Sequence, residues 1–369
     1  MSPPDVIGFA STALPGRVAI RAGERAWTYR ELAARARRLA RRLRDRGLAP
    51  GDRVAILSHN DIAHFDLLIA APIAGVIAVP LNTRLSLAEL SVLIANVQPA
   101  LLLVDPAHEA VGLALGLATI RLSDYEAWLA DAPTDRLPPI TPARTADDTH
   151  LILLTGGSTG TPKGACLPYR QTLGNADDSA KVWSLRPDDV AIQSTPCFHA
   201  AANVLSLPLL RVGGTVLLMS HFDPAEYLRL AVAHRASMLF MVPTMFAALA
   251  DTPGFASADL SAVRMALSGG APCPPSLPRR PIRQRRLWLW RVHGRVRERY
   301  PCPRSRRTGS KRARPRRRRQ AGSRCHRSWD PTRRPARSCA RHHRCRTALC
   351  HRRHQRSGDD GPRSRTAPS

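Results

Sequence analysis

Short apolar runs alternate with amphipathic segments through the first 278 residues, and this alternation predicts the secondary structure. Brief apolar runs indicate buried strands, whereas apolar residues that recur every three or four positions indicate helices. Strands are predicted at 54–57, 76–81, 101–104, 151–155, 190–194, 215–219, 238–242 and 263–267. Helices are predicted at 62–73, 87–95, 169–179, 201–210, 224–234 and 243–249. This alternation predicts an α/β fold with a largely parallel, helix-covered sheet.

A longer, arginine-rich helix is predicted to begin near residue 28. Thr28 and Glu31 have the spacing of a capping box, and Gly47 marks the end of the helix. We expect its arginines to form a solvated face rather than to bind an acidic surface, because residues 1–278 carry no net charge. These arginines are Arg35, Arg37, Arg38, Arg41, Arg42, Arg44 and Arg46.

Charge divides the chain into two parts of different character. Residues 1–278 hold 24 basic and 24 acidic side chains, whereas residues 279–369 hold 32 basic and four acidic ones, so the whole formal charge of +28 lies in the second part. That part also has few aliphatic side chains, and such a segment cannot offset its ordering entropy. We therefore predict an ordered domain over 1–278 and a disordered Arg/Pro/Ser-rich tail over 279–369.

The sequence favours a cytoplasmic location. Cysteines in residues 1–278 show no disulfide spacing, and the N-terminus has no basic-then-apolar signal segment. The longest apolar run, residues 67–81, is shorter than the roughly 20 residues that cross a bilayer. We therefore expect no transmembrane segment.

One segment carries the chemistry of a phosphate-binding loop. Residues 155–164 supply four glycines, four hydroxyl side chains, one proline and one lysine, directly after an apolar run. Glycines allow backbone N–H groups to turn toward an anion, and a lysine adds positive charge. A Walker-type loop would end in Gly-Lys-Ser/Thr, which is absent, and a flexible linker rarely follows a buried strand. The pattern predicts a polyphosphate site.

The same segment resembles the signature loop of the adenylate-forming enzymes, which include acyl-CoA synthetases and adenylation domains. Here it reads Thr155-Gly156-Gly157-Ser158-Thr159-Gly160-Thr161-Pro162-Lys163-Gly164. Two further blocks resemble the family's acyl-pocket and adenine blocks, namely Thr195-Pro196-Cys197-Phe198-His199 and Ser268-Gly269-Gly270-Ala271-Pro272. Pro80-Leu81-Asn82 and Val242-Pro243-Thr244 also fit. The resemblance covers about residues 10–278 and implies an incomplete N-terminal domain of this fold.

The resemblance implies ATP-dependent activation of a fatty or aryl carboxylic acid to an acyl-adenylate, then transfer to coenzyme A. Thr155, Lys163 and His199 would be catalytic, with His199 lining the carboxylate pocket rather than acting as a base. ATP would contact Thr155, Gly156, Gly157, Ser158, Thr159, Gly160, Thr161, Lys163, Gly269, Gly270, Ala271 and Pro272. Residues 203–205 would suit an apolar acyl chain, and Cys197 would serve packing. A carrier protein is the alternative thiol acceptor.

The family pattern stops after residue 272. A Tyr-Gly-x-Thr-Glu block, whose glutamate helps to hold Mg²⁺, should follow about fifteen residues later, and an aspartate for ribose and a C-terminal lysine should come after it. Instead the chain has Trp288-Leu289-Trp290. Read one base later, the codons TGG-CTN-TGG become GGC-TNT-GGN, which can encode Gly-Tyr-Gly. We infer a reading-frame shift between residues 270 and 288, and expect a chain that is inactive or impaired.

A functional basic arm is the rival interpretation of the tail. Arginine runs such as 316–319 bind phosphate backbones, but aromatic residues are not interleaved with them. We expect non-specific adhesion and no specific nucleic-acid partner. The tail residues Cys339, Cys345, Cys350, His351 and His354 lack the paired Cys-x₂-Cys spacing of a zinc site. No metal ligand is therefore predicted for this chain.

Overall fold

The computed structural model describes residues 5–133, 144–155, 163–271 and 289–291. The chain divides into two units, residues 1–304 and 305–369, and every described residue belongs to the first. The predicted disorder of the tail concerns residues that lie outside the described ranges, apart from 289–291. Among the helices that the structure describes, none has the length and apolar character of a membrane span.

Strands and helices alternate along the described ranges, as the sequence pattern predicts. The strands are β1 (Val18–Ala22), β2 (Arg25–Thr28), β3 (Arg53–Leu57), β4 (Ile77–Pro80), β5 (Leu101–Val104), β6 (Thr119–Arg121), β7 (Thr149–Thr155), β8 (Lys163–Pro168), β9 (Val190–Gln193), β10 (Thr215–Leu218), β11 (Met238–Met241), β12 (Met265–Ser268) and β13 (Leu289–Arg291). The helices are α1 (Ala10–Ala13), α2 (Tyr29–Asp45), α3 (Ile62–Ala74), α4 (Leu87–Val97), α5 (Glu109–Ala114), α6 (Tyr125–Ala130), α7 (Tyr169–Val182), α8 (Ala200–Val212), α9 (Pro224–Ala233) and α10 (Pro243–Ala250).

The strands form two sheets, each parallel except for one terminal strand. A six-stranded sheet has the order β6-β5-β3-β4-β7-β8, with only β8 antiparallel to its neighbour. A seven-stranded sheet has the order β13-β12-β11-β9-β10-β1-β2, with only β2 antiparallel. Because parallel strands end at the same edge, the segments that follow them in one sheet lie along a common carboxyl edge.

The main hydrophobic core joins the two sheets through the helices between them. It contains buried residues of both sheets, such as Ile20 and Val54, together with apolar faces of α2, α3 and α8. One smaller cluster packs α9 and α10 on the seven-stranded sheet, and another packs α4 on the six-stranded sheet. Each sheet is therefore covered on both faces, and this explains why its strands read as nearly continuous apolar runs.

The capping box of α2 is confirmed. The Glu31 backbone N–H donates to Thr28 Oγ1 at 3.2 Å, and the Thr28 N–H donates to Glu31 Oε2 at 2.7 Å. Gly47 follows the end of the helix with a φ of +83°, a conformation that glycine adopts without a steric penalty. The sequence therefore located both ends of this helix.

The expectation of a wholly solvated arginine face on α2 is wrong for Arg35. Its side chain is 7% exposed and pairs with the fully buried Asp66 of α3 at 2.8 Å and with Glu126 of α6 at 2.8 Å. The Tyr125 hydroxyl donates a further bond to Asp66 Oδ2 at 3.2 Å. The buried Asp66 carboxylate needs such partners to offset its loss of hydration. Because Arg35 and Asp66 lie in different helices, the helical pattern of α2 alone could not reveal the pair.

Strand β12 has a neighbour that the sequence pattern did not predict. Strand β13 pairs in parallel with β12, with Leu267 opposite Trp290. This short strand comes from the segment predicted to be disordered. Strands β1, β2, β6 and β8 and the short helices α1, α5 and α6 were not predicted either.

Candidate functional site

Thr155 and Lys163 lie opposite each other at the loop end of a β-hairpin. Thr155 ends β7, Lys163 begins β8, and the antiparallel register pairs these two residues directly. Opposing residues of such a pair have Cα atoms about 5 Å apart. The connecting residues Gly156, Gly157, Ser158, Thr159, Gly160, Thr161 and Pro162 lie outside the described residues. The hairpin thus brings together the two ends of the predicted phosphate-binding segment.

The last glycine of that segment has a packing role in the hairpin. Gly164 pairs with Leu154, and a Cβ atom on it would lie 2.7 Å from Ile152 Cγ2. Real side-chain atoms do not approach so closely, so a larger residue would push the two strands apart. Gly164 therefore keeps the start of β8 close to the end of β7.

The predicted adenine block follows β12 as a tight turn against β11. Gly270 has a φ of +81°, and a Cβ atom on it would lie 3.3 Å from Val242 Cγ1. The Gly269 N–H donates to the Met241 carbonyl at 3.4 Å. Gly270 thus allows the turn to pack closely on Val242, and Ala271 is exposed beside it. Pro272 lies outside the described residues.

The segment Thr195–His199, which follows β9, is held by buried side-chain amides. The Gln193 side-chain amide donates to the Thr195 carbonyl at 2.6 Å and to Thr195 Oγ1 at 2.8 Å. Its own carbonyl accepts from the Ser206 hydroxyl of α8 at 2.9 Å. Phe198 is buried, and its ring centroid is 4.6 Å from that of His199. The side chain of Gln193 therefore fixes the backbone of this segment at Thr195.

Asn60 joins this segment to the other sheet and was not predicted. Its amide nitrogen donates to the Thr195 carbonyl at 3.1 Å and to the Met219 carbonyl at 2.9 Å. Its amide oxygen accepts from the Cys197 N–H at 2.6 Å. Asn60 follows β3, so the carboxyl edges of the two sheets meet at this side chain. A polar run directly after an apolar strand, residues 58–61, is the sequence signal that could have revealed it.

His199 lies at the surface and begins α8 as its N-cap residue. Partial burial of the imidazole, and secondly the charge of Arg84, lower the pKa of His199 below its ordinary value. The ring is therefore neutral at pH 7 and can exchange hydrogen bonds in either direction. Its place beside an acid substrate remains a prediction.

The predicted packing role of Cys197 is confirmed, whereas the predicted role of residues 203–205 fails for Leu205. Cys197 is buried, and burial raises the pKa of its thiol. With Asn203 and Phe65 it lines a cavity of about 30 Å³, which is room for about one water molecule. Leu205 is fully buried in the main core and cannot line an acyl pocket, so that part of the expectation is wrong.

The resemblance implies a Mg²⁺ ion held by the glutamate of the Tyr-Gly-x-Thr-Glu block and by phosphate oxygens. That glutamate is not recognisable in this chain, and magnesium requires oxygen ligands. Within the described ranges, a group of three or more potential ligand side chains occurs only at His59, Asp105 and His108. Two of these three residues are histidines, which offer nitrogen rather than oxygen. This group is therefore not a magnesium site.

Known proteins share the sequence and the fold of this chain. The family described as AMP-binding enzyme matches residues 10–286. A feruloyl-CoA synthase of Amycolatopsis sp is 42% identical over 72% of this chain and 54% of its own length. An indoleacetate–CoA ligase of Aromatoleum aromaticum is 32% identical over 76% and 57%. The crystal structure of ATP-bound MatB from Rhodopseudomonas palustris aligns with a TM-score of 0.68, at 30% identity, over 75% of this chain and 57% of that one. The chain spans about half the length of the curated relatives it matches.

Proposed function

Because the chain belongs to the AMP-binding enzyme family, we propose that it carries the nucleotide-binding part of an ATP-dependent acid–CoA ligase. In the proposed reaction a carboxylate oxygen bonds to the α-phosphorus of ATP, and the bond to pyrophosphate breaks. The thiol sulfur of coenzyme A then bonds to the acyl carbon, its proton is lost, and AMP leaves. The MatB structure with bound ATP and the two CoA-ligase relatives support this assignment.

The observation that carries the proposal is the hairpin that pairs Thr155 with Lys163. It closes a segment with four glycines, four hydroxyls and one lysine at the carboxyl edge of a parallel sheet. Ligands bind at this edge in open α/β sheets, and backbone N–H groups with a lysine offset the charge of a triphosphate. Two anions must meet in this reaction, so neutralisation and positioning are the main tasks of the protein.

The roles proposed for the side chains follow from this arrangement. Lys163 would supply positive charge to the phosphates, with Thr155, Ser158 and Thr159 as hydroxyl donors. The neutral ring of His199 would hydrogen-bond the carboxylic acid. The turn at Gly269 and Gly270 would allow the adenine to approach the backbone.

We propose an aromatic carboxylic acid as the substrate. Feruloyl-CoA synthase and indoleacetate–CoA ligase are both named for aromatic acids. A fatty acid is the less favoured alternative.

We propose that the chain as written is impaired by the reading-frame shift. The family match ends at residue 286, inside the interval 270–288 where the family pattern stops. The aspartate, glutamate and lysine expected further along the family's sequence are not recognisable in residues 279–369. The coding DNA tests this directly, because an open adenylate-forming frame should continue in another register beyond residue 270.

ATP–pyrophosphate exchange by the frame-restored protein tests the proposed activity. We expect exchange to depend on an aromatic acid such as ferulate or indoleacetate, and to be weaker with palmitate. Lys163→Met should lower the exchange rate by about 10²-fold or more, since a preorganised charge at the phosphates is lost. Lys181→Met, on the exposed surface of α7, is the matched control and should leave the rate unchanged. The proposal is wrong if no acid supports exchange.

The acceptor is tested by a second measurement on the same protein. Thioester formation with free coenzyme A is the expected result. Thioester formation only with a carrier protein would instead assign the chain to the carrier-loading enzymes.

A further inference from the structure

Three potential metal ligands meet at the carboxyl edge of the six-stranded sheet. His59 follows β3 and Asp105 follows β5, and these strands are parallel neighbours with Leu57 opposite Val104. His108 ends the 3₁₀ turn Pro106–His108, three residues after Asp105. The adjacent strand ends therefore place both histidines beside one carboxylate.

Backbone hydrogen bonds hold the Asp105 carboxylate between the two imidazoles. The His59 N–H donates to Oδ2 at 2.9 Å, and the His108 N–H donates to Oδ1 at 3.0 Å. The same two oxygens lie 3.0 Å from His59 Nδ1 and 2.6 Å from His108 Nδ1. The backbone contacts fix the carboxylate and leave its other lone pairs directed toward the ring nitrogens.

We propose that His59, Asp105 and His108 form a binding site for a zinc ion. One ligand atom from each residue lies within 4.8 Å of the other two. In a tetrahedral zinc site with bonds of 2.0–2.1 Å, neighbouring ligand atoms are about 3.3 Å apart. The two nitrogen–oxygen distances, 3.0 and 2.6 Å, run to different oxygens of Asp105, so small shifts of the carboxylate and of both imidazoles would bring one atom of each residue to this spacing. Two nitrogens and one oxygen are ligands that zinc accepts.

The exposure of the three side chains fits such a site. Asp105 and His108 are 13% and 15% exposed, whereas His59 is 50% exposed. Zinc would bind deprotonated Nδ1 atoms in place of the present hydrogen bonds, and a water molecule would complete four ligands on the open side. The backbone bonds to Asp105 would remain and orient the carboxylate.

The site differs from the proposed phosphate site. The sheet order β5-β3-β4-β7 puts Asp105 three strands from the end of β7, which is about 14 Å at the usual strand spacing. His59 directly precedes Asn60, which fixes the segment Thr195–Cys197. Bound zinc would therefore stiffen the loop that supports the acid-binding side of the domain.

Titration of the full-length chain with Co²⁺, a coloured substitute for Zn²⁺, tests the proposal. The chain is first treated with iodoacetamide, because five of its cysteines follow residue 278 and could bind metal. We expect the alkylated chain to bind one Co²⁺ ion at His59, Asp105 and His108. The double variant H59A/H108A should bind one ion fewer, and H221A/H234A, which removes two histidines elsewhere, should match the original chain.

Zinc competition and thermal unfolding give a second readout on the same proteins. Added Zn²⁺ should displace the cobalt of this site and raise the unfolding temperature of the original chain and of H221A/H234A, but not of H59A/H108A. If the double variant misfolds by circular dichroism, H59Q replaces it and should weaken Co²⁺ affinity by about tenfold or more. Equal stoichiometry and equal stabilisation in all variants would overturn the proposal.

Discussion

Asn60 shows how a single amide can position a functional segment. It is buried and makes three hydrogen bonds of 2.6–3.1 Å to the backbone of residues 195, 197 and 219. Apolar periodicity does not identify such a residue, because its partners lie more than 130 positions away in the sequence. The predicted phosphate-binding and adenine blocks, in contrast, are continuous segments, so the sequence alone could suggest them, and their contacts with ATP stay predictions.

Replacing Asn60 with alanine should destabilise the domain. The Asn60→Ala change leaves the buried Cys197 N–H without its acceptor and removes a donor from the Met219 and Thr195 carbonyls, of which Thr195 keeps its bond from Gln193. We expect the free energy of unfolding to fall by about 2–4 kcal/mol, measured by urea denaturation. Asn175→Ala on the exposed face of α7 is the control and should change stability by less than about 0.5 kcal/mol. A similarly small effect of Asn60→Ala would contradict the role assigned to it.

At the scale of elements, His150 links α3, β7 and α7 inside the domain. Its Nε2–H donates to the Leu68 carbonyl at 2.9 Å, and its Nδ1 accepts from the Thr172 hydroxyl at 2.8 Å. The ring stacks on Tyr169 at a centroid distance of 4.5 Å. Burial lowers the pKa of His150 to about 4, so this imidazole is neutral in the folded domain.

The stability of the domain should therefore fall as the pH falls from about 6.5 to about 4. In this range the unfolded chain binds a proton at position 150 that the folded chain excludes, so unfolding becomes more favourable. One such group contributes a slope of up to about 1.4 kcal/mol per pH unit. The second buried histidine, His64, has its pKa lowered by burial to about 4 and acts in the same direction.

Urea unfolding between pH 4.5 and 6.5 measures this slope. His150→Gln keeps a donor and an acceptor but cannot titrate. The slope of its unfolding free energy against pH should therefore be smaller than that of the original chain by up to about 1.4 kcal/mol per pH unit, the contribution of one proton. His221→Gln removes an exposed imidazole and controls for the substitution itself. Identical slopes for His150→Gln and the original chain would rule out this account of His150.

The elements themselves were largely predictable, and the exceptions have physical causes. Buried parallel strands such as β5 read as apolar runs because both of their faces are covered. Strand β8 was missed because it begins within the lysine and glycine of the phosphate-binding segment, whose composition is typical of a loop. The ion pair of Arg35 with Asp66 joins separate helices, and helical periodicity does not report such a contact.

At the scale of the whole molecule, the described part is a domain whose functional segments lie at carboxyl edges of parallel strands. The sequence predicted this arrangement because the family blocks follow the apolar runs that form β7, β9 and β12. It could not predict how the two sheets meet, since that depends on side chains such as Asn60. The chain spans about half the length of the relatives that it matches.

The central claim is that residues 155–164 bind the triphosphate of ATP. Hydrogen–deuterium exchange of the frame-restored protein, with and without ATP, tests it most directly. We predict that ATP slows amide exchange within residues 155–164 and that Lys163→Met removes this protection, while the distant hairpin of β1 and β2 is unaffected. Unchanged exchange across residues 155–164 at ATP concentrations that protect another part of the domain would contradict the claim.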